Sequence, residues 1–207
     1  FVGDYVLYAS GRSWWREGGQ NSVLVVAAVR ENRSTQIPFK HGIDRIEAMG
    51  LDAVAVGADP NDLHFRAIEL TQGPEPALGD TYTMKGASQG ETRSHAFFFK
   101  PEPMPDDTTA GVLALPVARA ARPAYRQLLE SSASILFLRR STRKFSALGE
   151  LVADEAAAKD DGCKASCVDW YGNARPIFLR DRTFALMGYE LVEGEIGPNS
   201  IREMRRA

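Results

Sequence analysis

A chain of 207 residues that is 44% hydrophobic and 25% charged is long enough to bury one real core and too apolar to be disordered. A formal net charge of −2 and a pI near 6.0 exclude the broad basic face that a nucleic-acid partner requires. No apolar run approaches the ~20 residues of a membrane span, so no transmembrane segment is expected. The longest run, 23–29, suits a buried strand. The chain opens on Phe1-Val2-Gly3-Asp4-Tyr5 without an initiator Met. It is expected to be the C-terminal part of something longer, with any targeting segment upstream.

Taken in order, 4–9 is aromatic and β-branched between glycines and predicts a strand. A loop over 10–21 carries Trp14-Trp15-Arg16 and leads to a second strand over 22–29 and a short third over 35–39. The next unit is the most regular. Alternating 43–49, the run 52–56, alternating 64–70 and 80–85 predict four strands separated by turn residues, an antiparallel meander. A third unit repeats the plan with strands over 95–100, 111–117, 134–139 and 144–151, and helical insertions over 118–132 and 150–159. The last predicted strands are 176–180, 183–188, 189–193 and 201–205, and Arg202, Arg205 and Arg206 read as a solvated basic chain end.

Strands over 4–9, 52–56, 111–117 and 183–188 hold equivalent places in their units, roughly 50 to 70 residues apart, at or above the period of propeller blades. No helix alternates with strands, which excludes a doubly wound fold. The expected fold class is all-β, a partial β-propeller of antiparallel meander blades with short helical insertions, 1–207 forming the C-terminal portion of one propeller domain. A ring closes with four or more blades, so the remaining blades are expected upstream.

Few constellations carry chemistry. Cys163 and Cys167 are the only cysteines. An extended chain would hold them ~13 Å apart at ~3.3 Å per residue, beyond disulfide reach, whereas a tight turn brings them within it. A disulfide is favoured, with free thiols and a metal site beside Asp160, Asp161 or Asp169 as alternatives. The metal reading lacks zinc-knuckle spacing and a second ligand pair. Gly86-Ala87-Ser88-Gln89-Gly90 matches a hydrolase nucleophile elbow in letters. The helix an elbow needs does not follow, so the glycines are expected to serve a turn. No catalytic residue, cofactor or metal ligand is assigned.

Glu91, Arg93 and His95 alternate and are expected on one face of an extended segment. The group is either a ligand-facing polar cluster or an internally satisfied Arg–carboxylate pair with a backbone-bonded histidine. His41, Asp44, Arg45 and Glu47 form a similar group. Trp14, Trp15 and Arg16 are the leading surface candidates, because loop aromatics stack on sugars or anchor protein partners.

Three stretches carry a family resemblance: His41 to Gly50 with Asp62-Leu63-His64-Phe65; Ser88 to His95; and Asp161-Gly162-Cys163 to Cys167-Val168-Asp169-Trp170-Tyr171-Gly172-Asn173-Ala174-Arg175. Over most of its length the chain resembles bacterial secreted proteins containing a C-terminal β-propeller domain. The resemblance implies the fold and an extracellular or periplasmic location in the bacterial envelope, and brings no catalytic residues with it. An oxidising compartment and a cysteine pair support each other. The expected function is a non-enzymatic binding or scaffolding module for a protein or glycan. An envelope hydrolase or lyase at the channel mouth, using some of His41, Asp44, Glu91, Arg93 and His95, is the alternative.

Overall fold

The computed structural model describes residues 1–9, 22–71, 73, 75–91, 93–119, 134–153, 174–187 and 190–207. Its strands are β1 (Tyr5–Ala9), β2 (Ser22–Ala28), β3 (Arg33–Phe39), β4 (Arg45–Met49), β5 (Asp52–Ala58), β6 (Asp62–Glu69), β7 (Ala77–Lys85) and β8 (Ala87–Gln89). They continue as β9 (Phe98–Pro101), β10 (Gly111–Arg119), β11 (Ser134–Ser141), β12 (Lys144–Val152), β13 (Arg175–Leu179), β14 (Arg182–Met187), β15 (Glu190–Ile196) and β16 (Ile201–Arg206). The protein is all-β. Four sheets run β1-β2-β3, β4-β5-β6-β7, β12-β11-β10-β8 with β9 also on β10, and β13-β14-β15-β16. This succession of antiparallel meanders is compatible with a β-propeller-like domain.

The chain divides into two compact units. The first comprises Phe1–Ala87, Pro101–Gly111 and Arg140–Phe145. Its core gathers Leu24, Val26, Ile37, Phe39, Ala53, Ala55 and Ile68. The strand patterns explain that core. Strand β2 alternates buried with less buried residues and has one apolar face to cover. Strand β5 is buried at every residue and fits only at the centre of a sheet covered on both faces. Strand β6 shows the mixed case: Leu63, Phe65 and Ala67 turn inward, while Asp62, His64 and Arg66 stand on the opposite, half-open face.

A buried ionic knot joins the β4–β5 turn to the β11–β12 hairpin within this unit. Asp52 and Arg140 have no exposed side-chain surface and lie 3.0 Å apart, while Arg143, 22% exposed, reaches the same carboxylate oxygen at 2.7 Å. The hairpin carrying both arginines turns through Thr142 (φ 47°) and Arg143 (φ 61°). Two successive positive φ angles match the right-handed twist of the strands they connect.

The second unit comprises Ser88–Lys100, Val112–Arg139 and Ser146–Ala207, with Val112, Ile135, Phe137, Leu148, Ala185, Met187 and Val192 in its core. Strand β14 pairs with β13 and β15 in simple antiparallel register, and β15 bulges between Glu193 and Gly194 where it meets β16.

Several expectations need correction. The expected strand over 95–100 begins with a 3-10 turn, Ser94–Ala96, and the strand starts at Phe98. The helical insertion expected from Glu150 is strand through Val152, because Leu148 and Leu151 join the core; residues 154–159 lie outside the described residues. Of the insertion over 118–132, Ala118 and Arg119 complete β10, and 120–132 lie outside the described residues. The basic chain end is strand β16, held by Arg202–Glu195 at 2.7 Å, Arg205–Glu193 at 2.6 Å and Arg206–Glu203 at 2.8 Å. Charges on such an edge discourage pairing with another chain. Among the described residues no helix is long and apolar enough to cross a membrane.

Candidate functional site

A half-open polar constellation in the first unit stands on one face of β6 and β7. Antiparallel register sets three cross-strand pairs side by side: Asp62 with Lys85, His64 with Thr83, and Arg66 with Thr81. Each pair is bonded. Lys85 Nζ donates to Asp62 at 3.0 Å, His64 Nδ1 lies 3.1 Å from Thr83 Oγ1, and Arg66 donates to Thr81 Oγ1. Directly opposite pairs on one face are the closest side-chain neighbours a sheet offers. Alternation puts these residues on one face of each strand, and the register of β6 against β7 builds the ladder from them.

The turn between β5 and β6 adds an orienting carboxylate. Asp59 Oδ1 accepts the backbone N–H groups of Asn61 and Asp62, both at 2.8 Å, which shapes the turn. Its Oδ2 is left to meet His64 Nε2 at 2.8 Å. The bond to His64 first, and then the two backbone N–H groups, hold Asp59 down to a pKa of about 2. A carboxylate that stays ionised is acceptor-only, so His64 carries its proton on Nε2. In the neutral ring Nδ1 is then the acceptor, and Thr83 Oγ–H donates to it.

His41 completes the site. Its ring stacks on His64 at 4.5 Å between centroids and 18° between planes, and Phe39 meets it edge-on at 5.4 Å. The reason it can lie there is Gly57, which pairs with His64 across β5 and β6. A Cβ on Gly57 would stand 1.8 Å from the Gly42 carbonyl oxygen. The 41–43 segment thus crosses where a side chain would be, and that same oxygen accepts His41 Nδ1–H at 2.8 Å. With Nδ1 protonated, neutral His41 keeps its lone pair on Nε2. Burial, offset by the Gly42 carbonyl, lowers the pKa of His41 below the ordinary imidazole value; His64 and Arg66 nearby lower it further and Asp59 opposes them.

The residues singled out from sequence are placed as follows. Glu91 is buried, and its Oε1 accepts the Arg93 backbone N–H at 2.8 Å; Arg93 is half-buried and His95 exposed. They do not share one face of an extended strand, because the chain turns at Ser94–Ala96 with Ala96 N–H bonded to Arg93 O at 3.0 Å. The His41 group separates. Arg45 pairs with Glu47 at 2.9 Å and Asp44 accepts the Ala58 N–H at 3.3 Å, while His41 turns to His64. Ser88 is exposed on β8, after a turn at Gly86 (φ 62°). Trp14, Trp15, Arg16, Cys163 and Cys167 lie outside the described residues.

Sequence reasoning missed Asp59, His64, Arg66 and Thr83 as a group. The signal was present: alternating His64–Arg66 and Thr81–Thr83 flank one meander connection, and Asp59-Pro60-Asn61-Asp62 is a turn sequence. Among the described residues no group of three or more His, Cys, Asp or Glu side chains is arranged to hold a metal ion. Neither a protein-family model nor a curated protein matches the chain.

Proposed function

We propose that the chain is part of an exported bacterial β-propeller domain that serves as a non-enzymatic binding or scaffolding module for a protein or glycan. The observation that carries the reading is the half-open face of β6 and β7, where the ladder of donors and acceptors borders the Phe39–His41–His64 rings. Imidazole rings beside hydroxyl and guanidinium groups suit the mixed apolar and hydroxylated faces of a sugar, with Phe39 buried behind them. Meander sheets with a central strand buried on both faces support the propeller architecture. Trp14, Trp15 and Arg16, with Glu91, Arg93 and His95, remain proposed contacts on sequence grounds. The test is a glycan array and calorimetric titration with envelope glycans and proteins, run on the wild type, W14A/W15A and H41A/H64A. The reading expects at least one ligand whose binding weakens in one of the variants. Binding that is equal in all three proteins counts against these contacts, and recovery of the natural protein from the cytoplasm counts against export.

One observation favours a second reading, an envelope hydrolase. Asp59, His64 and Thr83 form a carboxylate–imidazole–hydroxyl relay with spacings of 2.8 and 3.1 Å, within the reach of a nucleophile and its oriented base.

A further inference from the structure

We propose that Thr83 Oγ1 is an activated nucleophile that accepts acyl groups from small esters, with His64 as its general base and Asp59 as the positioning residue. This rests on the hydrolase reading and goes beyond it by naming the reacting atom and substrate class.

The tautomers argue for it. Nε2–H of His64 faces an ionised carboxylate, which leaves the Nδ1 lone pair on the hydroxyl proton of Thr83. The imidazole is held on both sides, by the Asp59 bond at its edge and by the His41 ring on its face. Both His64 and Thr83 are half-open to solvent, so a small ester has access. The positive charge that a developing oxyanion needs is one rung away. Arg66 stands two residues from His64 on the same face, and its guanidinium charge favours a developing oxyanion there.

The step balances without a further co-reactant. Thr83 Oγ attacks the ester carbonyl carbon, and its proton moves to His64 Nδ1. The resulting imidazolium is stabilised by Asp59. The bond to the leaving oxygen breaks, that oxygen takes the proton from Nδ1, and the acyl group remains as an ester on Thr83. Water, deprotonated by the same nitrogen, returns the hydroxyl and releases the acid.

The experiment treats the whole chain with p-nitrophenyl acetate, following nitrophenolate release and locating the acetyl group by peptide mass spectrometry. The expected result is acetylation at Thr83, retained in T83S, abolished in T83V and slowed about a hundredfold in H64Q, the scale of a lost general base. D59N is expected to move the pH profile of labelling as well as its rate, which a purely structural role does not do. T83V is isosteric, and circular dichroism checks that it folds. If T83V is unfolded, T83S against H64Q carries the comparison. Wild-type labelling confined to lysines, or equal at Thr83 in wild type and H64Q, overturns the proposal. Acetylation of Thr83 without turnover upholds the nucleophile and sinks the hydrolase reading. Turnover undiminished in T83V overturns the nucleophile and leaves the hydrolase reading standing.

Discussion

Replacing Asp52 with Asn should be among the most damaging single changes in the first unit. Asp52 is wholly buried and accepts four hydrogen bonds: Leu70 N–H at 3.0 Å and Thr71 Oγ–H at 3.2 Å on Oδ1, Arg140 at 3.0 Å and Arg143 at 2.7 Å on Oδ2. Arg140 is as buried as its partner; it reaches Asp52 through Nη2, and its Nη1 has no acceptor among the described residues. Removing the carboxylate charge takes from that buried guanidinium its hydrogen-bonded counter-ion and leaves only the more weakly acting Asp107 and Glu69, which costs about 3–5 kcal/mol. That is a large share of the ~5–15 kcal/mol by which domains are stable.

With a urea m-value of about 3 kcal/mol/M, the unfolding midpoint of D52N should fall by roughly 1–1.7 M. R143Q should cost only about 1 kcal/mol, since Arg143 is partly open to water and its loss leaves the Asp52–Arg140 pair intact. The double variant D52N/R140M removes both charges and should be less damaged than the sum of its parts by on the order of 2 kcal/mol. Urea titration followed by tryptophan fluorescence and far-ultraviolet dichroism measures wild type, D52N, R140M, R143Q and D52N/R140M. A D52N midpoint within about 0.3 M of wild type, or strict additivity in the double variant, would refute the claim that Asp52 neutralises a buried arginine.

Other consequences can be checked as directly. Gly57→Ala drives a methyl group into the Gly42 carbonyl, which is backbone and cannot swing away. It should lose about 3 kcal/mol or more and abolish the His41–His64 stacking seen as ring-current shifts in proton NMR; an unchanged melting temperature would exclude the close approach. His41 titrates below its unfolded value of ~6.5, so its contribution to stability is present above that pH and is lost as the pH falls toward the folded pKa. Wild type should therefore lose stability below about pH 6.5 faster than H41Q, and identical pH profiles would contradict the assignment. Asp59, held near a pKa of about 2, contributes stability above its unfolded value of ~3.9 and loses it as the pH falls toward about 2. A carbon-detected NMR titration should place its midpoint there in wild type and higher in H64Q, where the leading hydrogen bond is gone.

Strand positions were largely legible in the sequence because a half-buried strand has a period of two and a central strand a continuous apolar run. Leu63-His64-Phe65-Arg66 and Ala53 to Val56 announce those two cases without reference to neighbours. Turn chemistry at Asp59-Pro60-Asn61-Asp62 and Gly86 was equally local. The exceptions were local too. The 3-10 turn at Ser94–Ala96 breaks an alternation, and β8 is too short, at three residues, to show a period.

Side-chain partnerships depend on register and on segments that pass close by. Periodicity put His64 and Arg66 on one face of β6 and Thr81 and Thr83 on one face of β7. Only the pairing of the two strands set His64 against Thr83. His41 was grouped with its sequence neighbours Asp44, Arg45 and Glu47, yet it stacks on a ring 23 positions away because Gly57 leaves room for its segment to cross. Asp52 meets arginines 88 and 91 residues later, a distance no local pattern encodes. Hydrophobic alternation is a property of neighbouring residues and survives in one dimension. Hydrogen-bond partners across a sheet are chosen by loop closure and packing, which exist only once the chain has folded.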